Sequence, residues 1–221
     1  MRNSGEGVFP VVLIKVDGIT TRTVIDTGGS SSYVSANVAD MLSKKPSEIA
    51  TKRVEMLMCS HIAKSETYDA VLQATDNMFK MNVKLTKVNK GQLLSIDNPR
   101  YEELKATYPY LEVNVADKDT KAQLPIHVIL SVGDFTRIKT DKKPLIGKAG
   151  EPIAEYTRMG WFTMSPGKEF DRIGSTMLLT QTTQANYEEL CRLDILGLKD
   201  SSDDDQLVHA EFKEQLQRSQ E

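Results

Sequence analysis

An apolar strand pattern that runs into an acidic, glycine-rich turn constrains this chain more than any other feature. Val8 to Val16 (VFPVVLIKV) reads as a β-strand, Asp17-Gly18 as a hairpin turn and Thr21 to Ile25 as the returning strand. The return ends on Val24-Ile25-Asp26-Thr27-Gly28-Gly29-Ser30, so a carboxylate leaves a hydrophobic strand and enters a turn. Most Asp-Thr-Gly triplets are plain turns, because Asp and Gly are the standard turn residues. This one is preceded by an apolar strand and followed by Ser30-Ser31-Ser32-Tyr33-Val34, which supplies hydroxyls and a new β-prone pair. Thr27 and Ser30 are placed to hydrogen-bond the turn and hold the carboxylate. A lone carboxylate in such a place is desolvated and poor at staying ionised unless something shares its proton. Two such groups that share one proton can activate a water between them. Asp26 is therefore the candidate catalytic residue.

Composition narrows the remaining options. With 221 residues the chain has room for one ordinary domain and an appendage. A net charge of −3 argues neither for nucleic acid nor for an anionic membrane surface. No apolar run approaches the length of a membrane span, and the opening MRNSGEGVF lacks the apolar core of a signal peptide. Cys59 and Cys191, far apart in sequence, suggest free thiols in a reducing compartment, so an intracellular, cytoplasmic location is expected. Cys59 and His61 form one C-x-H pair without a second pair at ligand spacing, and no metal or other cofactor is expected. Cys191, beside Leu190 and Leu193, reads as helix packing, and His127 as a structural residue within a strand. Arg137 and Lys139 make no basic patch, and no phosphate-binding glycine motif occurs.

Residues 1–90 read as mainly β. Ser35 to Leu42 predicts a short helix capped by Ser35, with Val38, Met41 and Leu42 on one face, ended by Lys44-Lys45-Pro46. Lys52 to Cys59, Glu66 to Ala74 and Phe79 to Val88 read as strands, with Ser60 to Ser65 as a hairpin tip; a long hairpin here would be able to close over a substrate. In the third strand Met81, Val83, Leu85 and Lys87 share a face. Pro99 is read as the first position of a helix through Tyr101, Leu104 and Lys105, broken at Tyr108-Pro109-Tyr110, and Ala116 to Gln123 as a charged loop. Leu124 to Leu130 (LPIHVIL) reads as one buried strand, leading into a turn and short helix from Ser131 to Ile138. Beyond Asp141, Trp161 to Met164 and Met177 to Leu179 read as strands joined by a Pro166-Gly167 turn. Asn186 to Leu193 reads as a helix, and the acidic Ser201 to Asp205 as the start of a last helix carrying Val208, Phe212 and Leu216.

Several segments taken in order resemble the Pol polyprotein of BEL/Pao long-terminal-repeat retroelements. They are IDTGGSSSYVSANVADML, LPIHVILSVGDFTRIKT, GEPIAEYTRMGWFTMSPGKEFD, MLLTQTTQANYEELCRLDILGL and HAEFKEQL. The resemblance runs from Val8 onward and covers that family's retropepsin-like aspartic protease and the stretch leading into reverse transcriptase. It implies a mainly β, retropepsin-like closed domain over residues 1–140, with 90–123 as an insertion and 141–221 as a connector toward an absent reverse transcriptase.

The same resemblance implies an aspartic endopeptidase in which one chain supplies half a site. A homodimer would bring Asp26 to its symmetry mate, and the polypeptide substrate would be its own polyprotein. Only one Asp-Thr-Gly occurs in the chain, which agrees with a half-site. Thr27 would brace the dyad, Gly28 would let backbone approach substrate, and Ile129-Leu130-Ser131 would form the layer beneath the active site. Retropepsins usually carry glycine where Ser131 stands, so either the loop is distorted or Gly133 takes over that role. The other reading left open is a catalytically inactive dimerisation or peptide-binding module.

Overall fold

The computed structural model describes residues 7–56 and 59–166, with the side chains of 52–61 left aside. The strand expected at Met177 to Leu179, both C-terminal helices, Cys191 and the acidic run lie outside the described residues, as do the side chains of Cys59 and His61.

β1 (Val11–Val16) and β2 (Ile19–Ile25) pair antiparallel with Val16 opposite Ile19. Asp17 and Gly18 between them take φ of 46° and 89°, the two left-handed positions that a tight hairpin matched to strand twist requires. After the Asp26 turn come β3 (Ser32–Ser35) and α1 (Ala36–Met41), whose N-cap is Ser35 as expected, its Oγ accepting from the Val38 N–H at 3.4 Å. Val38, Ala39 and Leu42 are buried, whereas Met41 is 55% exposed: the buried stripe passes through 38, 39 and 42.

β4 (Glu48–Met56) and β5 (Cys59–Ala74) form one long ladder from Glu48–Thr67 out to Met56–Cys59. Ser60 to Ser65, expected as a tip, is therefore strand. β6 (Lys80–Val88) covers β5 only from Thr67 onward. Among the described residues the outer part of the ladder is a two-stranded arm without a sheet neighbour, which accounts for the lack of clean apolar alternation in its sequence. Met81, Val83 and Leu85 are buried as read, but Thr86 and Val88 then replace Lys87, where β6 turns from β5 to pair with β3.

β7 (Leu94–Asp97), absent from the sequence reading, pairs with β8 (Gln123–Ile126). α2 spans Tyr101–Thr107 and starts later than expected. Arg100 precedes it at φ 49°, its N–H held by Asn98 Oδ1 at 2.9 Å, so Pro99 belongs to the entry turn. The run 124–130 is divided: β8 belongs with β7, and β9 (Val128–Leu130) slots between β2 and β3, parallel to one and antiparallel to the other. α3 (Val132–Ile138) follows, then β10 (Leu145–Ile146), β11 (Ile153–Thr157) and β12 (Gly160–Met164), a small sheet of its own.

The protein is mainly β. Among the described residues the large sheet runs β1-β2-β9-β3-β6-β5-β4, and β1 also pairs with β5, which closes it. Its interior holds Val12, Ile14, Ile25, Leu72, Leu85 and Leu130. Val11 and Val24 on the opposite face pack with Ile96, Leu124 and Ile126 under β7–β8. Both faces of the first hairpin are thus covered, which explains the near-continuous apolar sequence of β1. Residues 98–122 are anchored by Tyr101, Leu111, Val113 and Val115 against Ala154 and Trp161 of the small sheet. Met159 and Phe162 join the main core, so the boundary expected at 140/141 falls inside this packed unit.

Candidate active site

Three adjacent strands build the Asp26 turn. β9 lies between β2 and β3, so the chain entering the turn and the chain leaving it are both fastened to the same central strand. The Asp26 N–H donates to the Leu130 carbonyl at 2.9 Å, and the Val132 N–H donates to the Gly29 carbonyl at 3.1 Å. Within the turn, the Gly29 N–H reaches the Asp26 carbonyl at 3.3 Å and the Gly28 N–H donates to Asp26 Oδ1 at 2.9 Å.

The carboxylate itself is exposed and joins no ion pair among the described residues. Its glycines leave it room. A Cβ on Gly28 would stand 3.3 Å from Oδ1 and one on Gly29 3.1 Å from Oδ2, both tight enough to push the acid. The Asp26 carboxylate is thus exposed, oriented by one backbone donor and flanked by two glycines.

The hydroxyl that secures the turn is Ser32, which the sequence reading did not single out. It is 3% exposed, accepts from the Ser131 N–H at 2.9 Å and donates to Asp134 Oδ2 at 2.7 Å. Asp134 Oδ1 is in turn held by Arg137 at 2.9 Å. Thr27 and Ser30, expected to brace the turn, are exposed; Ser30 lines a cleft of about 860 Å³ beside it. Other walls of that cleft are Ser31, Thr67, Asp69, Lys84 and Arg137.

Ile129, Leu130 and Ser131 do lie directly beside the turn, Leu130 being 1% and Ser131 4% exposed. Ser131 neither distorts the loop nor passes its role to Gly133. Its φ of −67° and ψ of 165° suit any residue, and it serves as the N-cap of α3, Oγ accepting from the Asp134 N–H at 3.4 Å. A Cβ on Gly133 would meet nothing closer than 3.9 Å, so nothing there requires glycine.

Tyr33 is a second residue that the sequence did not mark. Burial pushes its phenol above the ordinary range and the negative charge of Asp26 adds to this, while hydrogen bonding with Ser31 opposes it. It also lines a smaller cavity of about 240 Å³ with Ile49, Ala63 and Lys64 at the foot of the β4–β5 arm. The signal was present in the alternation of β3, where position 33 faces away from buried Ser32 and Val34. His127 accepts or donates a hydrogen bond with Ser35 at Nδ1, 3.0 Å away, and is structural in position, between β8 and β9. No group of side chains suited to holding a metal ion occurs among the described residues.

No protein-family model matches the sequence, and no curated protein matches it significantly. Among solved structures, a retropepsin-like aspartic protease from Rickettsia conorii is similar over 72% of this chain and 87% of its own, at 11% identity and a TM-score of 0.34.

Proposed function

We propose that this chain is one half of an aspartic endopeptidase of retropepsin type. Two copies would pair so that Asp26 and its symmetry mate share a proton. The observation that carries this reading is the Asp26 turn, an exposed, glycine-flanked carboxylate at the end of β2, fastened to a strand threaded between its two arms. The chain holds one Asp-Thr-Gly, so a two-aspartate site requires a second copy.

In the reaction the ionised carboxylate removes a proton from water as the water oxygen attacks the scissile carbonyl carbon. The protonated carboxyl of the pair gives its proton to the carbonyl oxygen, and a tetrahedral diol results. Return of a proton to the amide nitrogen and loss of one from the diol then break the C–N bond, leaving an acid and an amine. Thr27 is assigned to bracing the two turns across the dimer, and Gly28 to the close approach of substrate backbone. The resemblance to BEL/Pao elements makes the surrounding polyprotein the substrate assigned here.

The test is cleavage of a mixed peptide library at mildly acidic pH by the full chain and by Asp26→Asn. Cleavage by the first alone supports the protease. Equal silence from folded, dimeric samples would replace it with a peptide-binding module that has lost its chemistry.

A further inference from the structure

We propose that Ser32 and Ser131 are positioning residues for Asp26, a role that rests on the protease reading and extends it. Residues 130, 131 and 132 fasten the catalytic turn at three successive points. The Leu130 carbonyl takes the Asp26 N–H, the Val132 N–H takes the Gly29 carbonyl, and the Ser131 N–H between them is taken by Ser32 Oγ, at the far end of the turn. The loop from Asp26 to Ser32 is thereby tied at its beginning, middle and end to one short stretch of chain.

The tie at the end of the turn differs from the other two because it depends on a side chain. Ser32 has one hydroxyl proton, and the 2.7 Å approach to Asp134 Oδ2 uses it. The Ser131 hydroxyl, 3.2 Å from Ser32 Oγ, then supplies its own proton to that oxygen and accepts the Asp134 N–H. Arg137 holds the other oxygen of Asp134, which fixes the carboxylate plane. Both hydroxyl protons are used among the two buried serines and Asp134, and a hydrogen-bonded network at a buried position is rigid.

This explains how a serine is accommodated beneath the turn. It replaces the freedom of a glycine with a second link between α3 and the loop. Loss of the Ser32 hydroxyl leaves the Ser131 N–H and one Asp134 oxygen short of a partner and releases the end of the turn, and loss of the Ser131 hydroxyl removes the cap of α3 and a bond to Ser32 Oγ that help hold it there. The fold stays anchored by the backbone ties at 130 and 132. Misplacement of an acid by a fraction of an ångström is felt in the chemical step, not in substrate capture.

The experiment measures kcat and KM separately for the full chain and for Ser32→Ala, Ser131→Ala, Ser32→Thr and the Ser32→Ala/Ser131→Ala pair, with Asp26→Asn as the inactive control. Each alanine variant is expected to lose about 10- to 100-fold in kcat with KM within about threefold. Ser32→Thr, which keeps the hydroxyl, should recover most of it. The double variant should be no worse than the poorer single one, since the residues act as a unit.

A kcat within twofold of the parent for Ser32→Ala, or a loss confined to KM, overturns the proposal. If the parent and Asp26→Asn cleave alike, the protease reading falls, and amide hydrogen exchange decides the positioning role by itself. Protection at Asp26, Gly29 and Val132 should then fall about tenfold or more in Ser32→Ala, with Leu72 and Leu85 unchanged. Equal change at both sets, or none at either, refutes the link.

Discussion

Strand β2 and the residue just past its end carry two charges whose surroundings are opposite in kind. Near its middle, Arg22 forks onto Asp117, with Nε 2.5 Å from one carboxylate oxygen and Nη2 3.1 Å from the other, and reaches Asp119 at 2.8 Å. The Asp117 side chain is 7% exposed and that of Arg22 13%. Hydrogen bonding to Asp117 holds the guanidinium above its usual range, against the cost of its burial. Just past the strand end Asp26 has a backbone donor, open solvent and no cation partner among the described residues. The first carboxylate is neutralised and spent on holding residues 116–123 to the sheet. The second is left with its charge uncommitted. What a carboxylate does in this fold is decided by what meets it, and one strand with the turn at its end supplies both answers.

That contrast makes Asp26→Asn the largest expected effect on activity and one of the smallest on stability. Cleavage should fall by at least about 10³-fold, the scale of a lost acid–base pair. Unfolding free energy should move by less than about 0.5 kcal/mol, as for exposed positions in general. A urea titration of both proteins checks the second half; a large stability change would mean that Asp26 is spent structurally, as Asp117 is. Arg22→Ala is the mirror experiment. It strands Asp117 in a buried site and should cost about 3 kcal/mol, far more than any change in kcat per folded molecule. Arg22→Met combined with Asp117→Leu should recover much of that loss, because removing both charges removes the stranded one. Full additivity of the two single losses would show that the pair is not coupled.

Sequence made the Asp26 side of this comparison legible and left the Arg22 side dark, for physical reasons. The hairpin and the acidic turn are written in local chemistry: Asp17-Gly18 meets its turn geometry with its own two residues, and Ser35 caps α1 from the adjacent position. Arg22 and Asp117 are nearly a hundred positions apart, and a charge in each place reads as ordinary surface until tertiary structure joins them. β7 escaped for a related reason. Leu94-Ser95-Ile96-Asp97 is too short to show a period, and its pairing with β8 is what makes it a strand. The division of 124–130 at His127 was hidden because apolar residues face two different cores on either side of it. Ser32 was missed because a buried hydroxyl and an exposed one are the same letter; its partners Ser131 and Asp134 lie about a hundred positions away.

Gly29→Ala sharpens the comparison from the other direction, by crowding Asp26 without touching its charge. The new Cβ would start 3.1 Å from Oδ2, so the carboxylate must shift. Cleavage should drop about tenfold, within the range for a misplaced catalytic group. The thermal midpoint should move little, because φ at this position does not require glycine. An unchanged rate would mean that the acid has slack which the tight turn does not suggest.

The smallest expected effect links the two regions through His127, whose backbone N–H donates to the Arg22 carbonyl at 3.2 Å. Burial holds the imidazole below its usual 6.5, hydrogen bonding to the Gly91 backbone opposes this, and the positive charge of Arg22 adds a smaller push downward. Ser35 Oγ faces Nδ1 at 3.0 Å. With the folded value depressed, the unfolded chain binds the proton more readily. Its contribution to stability is therefore complete above about 6.5 and is lost as pH falls through that value toward the folded one. Thermal midpoints at pH 7.5 and 5 should separate more for the parent than for His127→Gln. In the Arg22→Met/Asp117→Leu protein the His127 depression should shrink, since the nearby cation is gone while the burial remains. NMR titration of the ring reads this directly. A His127 value that ignores Arg22 altogether would mean that Asp117 and Asp119 screen the guanidinium completely, and that the buried charge on β2 is closed to the rest of the sheet.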